Sequence, residues 1–456
     1  MLAKAYGTEI KIDYNQIDGF NRYPSDIMDE YRQSMEEGLD LEEHKALFEA
    51  VAAMENGEMK THMSDIIFDT VINADMRADY KYREPNDLDG IRELCKKHKF
   101  EGKIPDREEL KKKLLGAWTG RACGCLLGKP VEGIRSHELV PLLKETGNFP
   151  MHRYILSTDI TEEMCGRYEF SLKDRTYADV VDGMPVDDDT NYVVLAQLIV
   201  EKYGRSFTSE NVATAWLEYQ SVYAYFTAER IAYINFLNCI QPPASAMYKN
   251  VCRKWIGAQI RGDYFGYINP GSPEKAAEMA YRDARISHVK NGIYGEMLAS
   301  AMIAVAAVTD SIEDIILGGL SQIPATSRLY EAAMKVYSDY KNGVALEDVY
   351  NYIHSLYDEK TGHGWCHTIS NAMIVVASLL YGGGDFGKSI CIAVSMGFDT
   401  DCNGATVGSV LGMRGGIDCI DEYWKKPVAG KINTSIFGVG AVDIEKAVEK
   451  TLSHLE

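Results

Sequence analysis

Gly397-Phe398-Asp399-Thr400-Asp401-Cys402-Asn403-Gly404-Ala405-Thr406-Val407-Gly408-Ser409-Val410-Leu411-Gly412 is the stretch on which the reading of this chain turns. Gly404, Gly408 and Gly412 recur every four residues, so in a helix they line one face. A glycine inside a helix costs about 1 kcal/mol relative to alanine. Three of them need an offsetting gain, and close approach of another backbone supplies one. Asp399 and Asp401 stand one residue apart where that helix begins, so both project toward one point and form a candidate cation cage.

A second stretch carries the same signature. Gly116, Gly120, Gly124 and Gly128 again fall every four residues, giving another helix with a bare face. Pro130 is expected to end it and to leave Glu132 in the loop just beyond. Farther on, Asp187-Asp188-Asp189-Thr190 precedes an apolar run of helix length, residues 191–200. Acidic residues suit a helix start, where unpaired N–H groups favour negative charge, so capping alone accounts for the triplet. A second use appears if the two glycine-faced helices pack closely, because the acidic ends then meet. Five carboxylates in one small volume repel unless protonated or neutralised by cations. Oxygen donors point to Mg²⁺, Ca²⁺ or Mn²⁺ rather than Zn²⁺, since neither histidine nor cysteine clusters at the spacing zinc prefers.

The chain has 456 residues, 46% of them hydrophobic, enough for a large core plus an appended unit. A formal net charge of −19 argues against a general nucleic-acid or anionic-membrane binder. Ten cysteines are scattered without zinc-type CxxC pairs, Cys123 and Cys125 forming only an isolated CxC, which points to reduced thiols and a cytoplasmic setting. The N-terminus turns polar too soon for a signal peptide, and no apolar run reaches the roughly 18 residues of a membrane span.

In chain order, a short strand is expected at 9–13, then amphipathic helices such as 41–56 and 63–74. Residues 1–105 carry no chemical motif and read as a mainly helical packing or oligomerisation extension. Gly102, Pro105 and a capping Asp106 open a second unit, 106–456. Residues 137–186 read as long loops, the aromatic stripe 216–236 as core rather than a stacking platform, 273–308 as one long helical pattern containing Ser287-His288, and 370–381 as a helix. Gly382–Gly384 reads as a helix C-terminal turn rather than a phosphate loop. Nearly every signal is helical, which excludes a doubly wound sheet.

The ordered set Gly120-Arg121-Ala122-Cys123-Gly124, Pro130-Val131-Glu132, Asp188-Asp189-Thr190, Ser287-His288 and Asp399-Thr400-Asp401 before glycines resembles the ADP-ribosylglycohydrolase family. The resemblance implies an all-α, multi-helical orthogonal bundle, two Mg²⁺ (or Mn²⁺) ions in a cleft, and hydrolysis at the anomeric carbon of an ADP-ribosylated protein or small ribosyl conjugate. By that resemblance Asp188, Asp189, Asp399 and Asp401 match metal ligands, with Asp187 beside them, and Glu132 and Asp189 are the catalytic candidates. His288, Gly124 and Asn403 are candidate substrate contacts. Three residues depart from the pattern: Asp187 stands where Thr or Ser is usual, Cys125 where an aspartate is common, and Cys402 where Thr usually follows the second aspartate. A thiolate is soft while Mg²⁺ prefers oxygen, so either Cys402 makes no metal bond or the second metal is weaker or different. The alternatives are a non-catalytic ADP-ribose or nucleotide sensor and a hydrolase of a small nucleoside-like N-glycoside.

Overall fold

In the computed structural model, which describes residues 7, 11–17 and 20–455, the two glycine-striped segments are the helices Arg107–Gly128 and Thr400–Gly415. They run antiparallel with their backbones in contact. A β-carbon added at Gly116 would lie 2.3 Å from the Gly412 carbonyl oxygen, at Gly120 2.2 Å from that of Gly408, and at Gly124 1.9 Å from that of Gly404. The stripe on the partner helix is reciprocal, with Gly404, Gly408 and Gly412 facing the Gly124, Gly120 and Gly116 carbonyls at 2.3, 2.1 and 2.1 Å. No side chain fits this seam, and that offsets the low helix propensity of both segments. At its end a β-carbon on Gly128 would meet the Asp401 nitrogen at 2.4 Å, and Thr400 Oγ1 donates to the Gly128 carbonyl at 3.0 Å.

Helices surround the seam. Asn291–Ala306 is buried along its whole length and Thr368–Gly382 nearly so, while Phe386–Ser395 and Asp188–Tyr203 close the sides. The first of the two seam helices starts where Asp106 accepts the Glu109 N–H at 3.0 Å. Among the described residues the strands are Lys431–Asn433 and Ala441–Asp443, an antiparallel pair in the register Ile432 opposite Val442. The fold is all-α, a multi-helical bundle.

The N-terminal layer, with helices Ile27–Glu36, Lys45–Ala52 and Glu58–Ile72, is fastened to the bundle by buried charge. Arg253 pairs with Glu30 and Glu37, each at 2.9 Å, Lys254 Nζ donates to the Gln33 carbonyl at 2.7 Å, and Arg328 pairs with Glu84 at 3.0 Å. Burial works against the Glu37 carboxylate, yet Arg253, Lys254 and Lys290 hold it well below the usual range. His363 Nε2 approaches both Glu36 oxygens at 3.1 Å, and His367 Nε2 lies 3.4 Å from one of them. His367 Nδ1 accepts the Ile369 N–H at 3.1 Å, so the proton of the neutral ring sits on Nε2 and faces Glu36. Glu36 of the N-terminal layer is thus tied to His363 and His367 of the bundle.

Several sequence expectations need correction. Of the expected strand 9–13, residues 9 and 10 lie outside the described residues, 11–13 are irregular, and Tyr14–Ile17 is a helical turn. The loop region 137–186 contains the ten-residue helix Ser136–Glu145, whose periodicity is interrupted by Pro141 although Leu139, Leu142 and Leu143 are buried. The pattern 273–308 is two helices, Pro273–Ala284 and Asn291–Ala306, parted before Lys290, whose φ of 48° no helix accommodates. Gly383 is the left-handed C-cap of the Thr368–Gly382 helix.

The seam makes a direct prediction. Gly124→Ala forces the two helices apart and lowers stability by about 3 kcal/mol or more. Gly166→Ala has open space around it in the Glu162–Arg167 helix and changes stability by less than about 1 kcal/mol, toward the stable side. Urea-unfolding midpoints of the two variants check this contrast.

Candidate active site

Because the seam ends at Gly128 and Thr400, it delivers the C-terminal end of one helix and the N-terminal end of the other to one place. Glu132 follows the 3₁₀ turn Lys129–Val131 on one side, and Asp399 and Asp401 open the other helix. The third contributor is the start of the Asp188–Tyr203 helix, drawn in by Arg121. This fully buried guanidinium donates to the Asp189 main-chain oxygen at 2.8 Å, to Asp189 Oδ1 at 3.0 Å and to Asp263 Oδ2 at 2.7 Å. Arg121 sits on the first glycine helix, so one element sets the position of both Glu132 and the aspartate triplet.

The capping account of the aspartates holds for one residue only. Asp187 Oδ1 accepts the Asp189 N–H at 2.9 Å and thus caps its helix, while its other oxygen pairs with Lys129 Nζ. Asp399 occupies the N-cap position without making a side-chain capping bond, so its carboxylate is turned to the cluster. Asp189 Oδ2 and Asp401 Oδ1 are buried and have no hydrogen-bond partner. An orphaned, buried carboxylate oxygen is costly, and a cation is the partner such atoms lack.

Potential donor atoms of Cys125, Asp187, Asp189 and Asp401 all lie within 4.8 Å of one another, and those of Asp399, Asp401 and Cys402 form a second such group. Burial and the neighbouring carboxylates Asp187 and Asp189 push Asp188 well above the usual carboxylate range. Burial and the other acids, Glu132 and Asp187 foremost, do the same to Asp401. Asp189 is raised by burial against the pull of Arg121, and Asp399 by burial and the nearby Asp187 charge. Glu132 is pushed up to about 7 by burial, then by Asp187 and Asp399. The residues present therefore fit divalent cations, with oxygen donors in excess and positive charge in deficit.

A cleft of about 400 Å³ opens over this cluster, with Lys129, Glu132, Asp187 and Asp188 at its base. Its rim carries Tyr223, Phe226 and Phe437, which are 69, 50 and 57% exposed. The aromatic stripe therefore divides: Trp216, Tyr225, Tyr233 and Phe236 are core, while Tyr223 and Phe226 face the cleft. Phe437 arrives on the turn after the Lys431–Asn433 strand, which Asn191 anchors to the acidic helix by accepting the Ser435 N–H at 3.2 Å and donating to Ser435 Oγ at 3.0 Å.

Of the three candidate substrate contacts, none has a free face in the cleft. Gly124 is enclosed in the helix seam. Asn403 is buried, and its Nδ2 donates to Asn371 Oδ1 at 2.8 Å, the same oxygen that accepts the Asp399 N–H at 3.2 Å, so it holds the aspartate loop in place. His288 belongs to another buried network, where its Nδ1 meets Ser287 Oγ at 2.8 Å and Ser287 is tied to Arg261, itself paired with Glu229 and Asp283. Burial and the Arg261 charge keep that imidazole neutral. The sequence reading gave no role to Arg121, Lys129, Asn371 or Phe437. The Gly120-Arg121 pair inside a glycine-faced helix was the one available signal, since a buried arginine requires a carboxylate partner.

Comparison with known proteins identifies the family. A family model described as ADP-ribosylglycohydrolase matches residues 106–454. An uncharacterized protein of Archaeoglobus fulgidus is 24% identical over 321 residues, covering 69% of this chain and 91% of that one. A solved structure described as an ADP-ribosylglycohydrolase-related protein complex superposes with a TM-score of 0.44 at 16% identity, covering 76% of this chain and 98% of its own. With the family model spanning well over half of its length, this chain belongs to the ADP-ribosylglycohydrolase family.

Proposed function

We propose that this chain is a metal-dependent hydrolase that cleaves the glycosidic bond of an ADP-ribosyl or related ribosyl conjugate at the anomeric carbon. The observation that carries this reading is the pair of unpartnered buried oxygens, Asp189 Oδ2 and Asp401 Oδ1, in a carboxylate group shared with Asp187, which lines a cleft together with Glu132, Asp188 and exposed aromatic rings. Asp187, Asp188, Asp189, Asp399 and Asp401 would hold two divalent cations, Mg²⁺ or Mn²⁺ being the ions that oxygen donors favour. When bound, such ions supply charge for fixing ribose hydroxyls and for acidifying water.

The chain's own residues supply the rest. Glu132, titrating near neutrality, exchanges a proton with the attacking water or the leaving group at the cleft base. Asp189 is oriented by Arg121, so one oxygen is fixed and the other stays available. Lys129 beside Asp187 offers a positive charge at the base for an anionic part of the substrate, and Tyr223, Phe226 and Phe437 offer ring faces for a base to stack on.

Purified protein supplied with Mg²⁺ or Mn²⁺ is expected to release ribosyl product from a panel of arginine-linked, serine-linked and small ADP-ribosyl conjugates and nucleosides. Asp399→Asn is expected to lower the rate about 100-fold or more, the scale on which loss of an essential metal site or acid–base group is felt. Tight ADP-ribose binding in calorimetry with no release from any conjugate replaces this reading with a ligand sensor.

The raised carboxylates also set a pH dependence. In the ion-free fold Glu132 titrates at about 7 rather than its ordinary 4.5, so between these values the folded state holds more protons than the unfolded one. Its contribution to stability is complete below about 4.5 and is lost as pH rises through about 7. The melting temperature in chelator is therefore expected to fall between pH 5 and pH 8, as ordinary ranges for such a scan, and a divalent ion at about 100 times its dissociation constant to restore about 2.7 kcal/mol. Thermal melts with and without ion measure both.

A further inference from the structure

We propose that the carboxylate cluster is a mixed oxygen and sulfur site, in which Cys125 and Cys402 are ligands and select a sulfur-accepting divalent ion of the Zn²⁺, Fe²⁺ or Co²⁺ class over Mg²⁺. This rests on the reading of the cluster as a metal centre. Each of the two donor groups contains one thiol: Cys125 lies with Asp187, Asp189 and Asp401, and Cys402 with Asp399 and Asp401. Asp401 is common to both.

The thiols are held there by the same seam that assembles the carboxylates. Cys125 directly follows Gly124, which is closed against Gly404, and Cys402 stands two residues before Gly404. Both side chains are buried, at 0 and 5% exposure, on helices that cannot rotate without driving a β-carbon into the partner backbone. Cys123, two residues before Cys125, shows the contrast, since its thiol is turned away and donates to the Trp424 carbonyl at 3.2 Å. The Cys402 sulfur and potential donor oxygens of Asp399 and Asp401 all lie within 4.8 Å of one another. The two unpartnered oxygens, Asp189 Oδ2 and Asp401 Oδ1, belong to residues of these same groups.

A thiolate is a poor ligand for Mg²⁺ and a good one for Zn²⁺, Fe²⁺ and Co²⁺, so sulfur in both donor groups reorders the affinities of an otherwise oxygen site. On binding, each thiol forms a metal–sulfur bond and releases its proton to solvent, with no change in oxidation state. The carboxylates keep the site open to harder ions at lower affinity.

The test uses the full chain, stripped with chelator and titrated separately with Co²⁺ and Mg²⁺ by calorimetry and absorption. Co²⁺ is expected to bind at least about tenfold more tightly than Mg²⁺ and to give a thiolate-to-metal charge-transfer band. The band is expected to weaken in Cys125→Ser and in Cys402→Ser and to vanish in the double variant. It is also expected to vanish in Asp399→Asn/Asp401→Asn, which keeps every cysteine and so accounts for stray binding by other thiols. Carboxylate-dependent Co²⁺ binding without the band, a band that survives the double cysteine variant, or equal affinity for Mg²⁺ overturns the sulfur ligation and leaves an oxygen-only metal centre standing. Absence of binding by either ion overturns the metal centre itself.

Discussion

Two helices whose backbones meet along facing glycines are the constraint from which the rest of this structure follows. With three facing pairs, Gly116 with Gly412, Gly120 with Gly408 and Gly124 with Gly404, register and distance are both set, because any β-carbon in the seam would overlap a carbonyl. The consequence is felt at the end of the seam. Gly128 and Thr400 meet there, and everything within a few residues of either is delivered to a common point with little freedom to withdraw. Glu132, Asp399, Asp401, Cys125 and Cys402 all fall within that reach.

The electrostatic cost of that convergence is carried in two ways. Arg121 pairs with one oxygen of Asp189 and Lys129 with one oxygen of Asp187, which leaves Asp189 Oδ2 and Asp401 Oδ1 without a partner. Rigid surroundings prevent the acids from separating to relieve their repulsion. Phe398 is part of that rigidity: it keeps a left-handed φ of 57° just before Asp399, with its carbonyl accepting from Trp365 Nε1 and its ring against His354. The layer of residues 20–100 reinforces the same loop from behind. Glu36 meets His363 and His367, and the segment they belong to holds Asp399 through Cys366 and Asn371.

How much of this was legible in the sequence depended on whether the signal was local. The fourfold glycine spacing was visible because it has one economical use, and from it the helix pair and the meeting of Asp187–Asp189 with Asp399 and Asp401 could be anticipated. The all-α class followed from periodicity. What stayed hidden was fixed by contacts far apart in the chain. Nothing near Phe437 announces that a short hairpin brings it beside Tyr223, and nothing near Glu37 announces Arg253. Periodicity placed the whole aromatic stripe in the core, because the pattern cannot tell Tyr225, which is buried, from Tyr223 and Phe226 on the cleft rim. Ser287-His288 reads as part of a helix in the sequence, yet it lies in the connection between Pro273–Ala284 and Asn291–Ala306, where Ser287 bonds Arg261. Pro141 concealed a helix that three leucines bury well enough to tolerate it.

The central claim is that the glycine seam exists to bring carboxylates from three segments around shared cations. Anomalous diffraction from crystals of the protein soaked in Mn²⁺ tests it most directly. The account predicts anomalous density bounded by Asp189, Asp399 and Asp401 at the end of the seam. Density at other acidic positions only, with that place holding solvent, would contradict it.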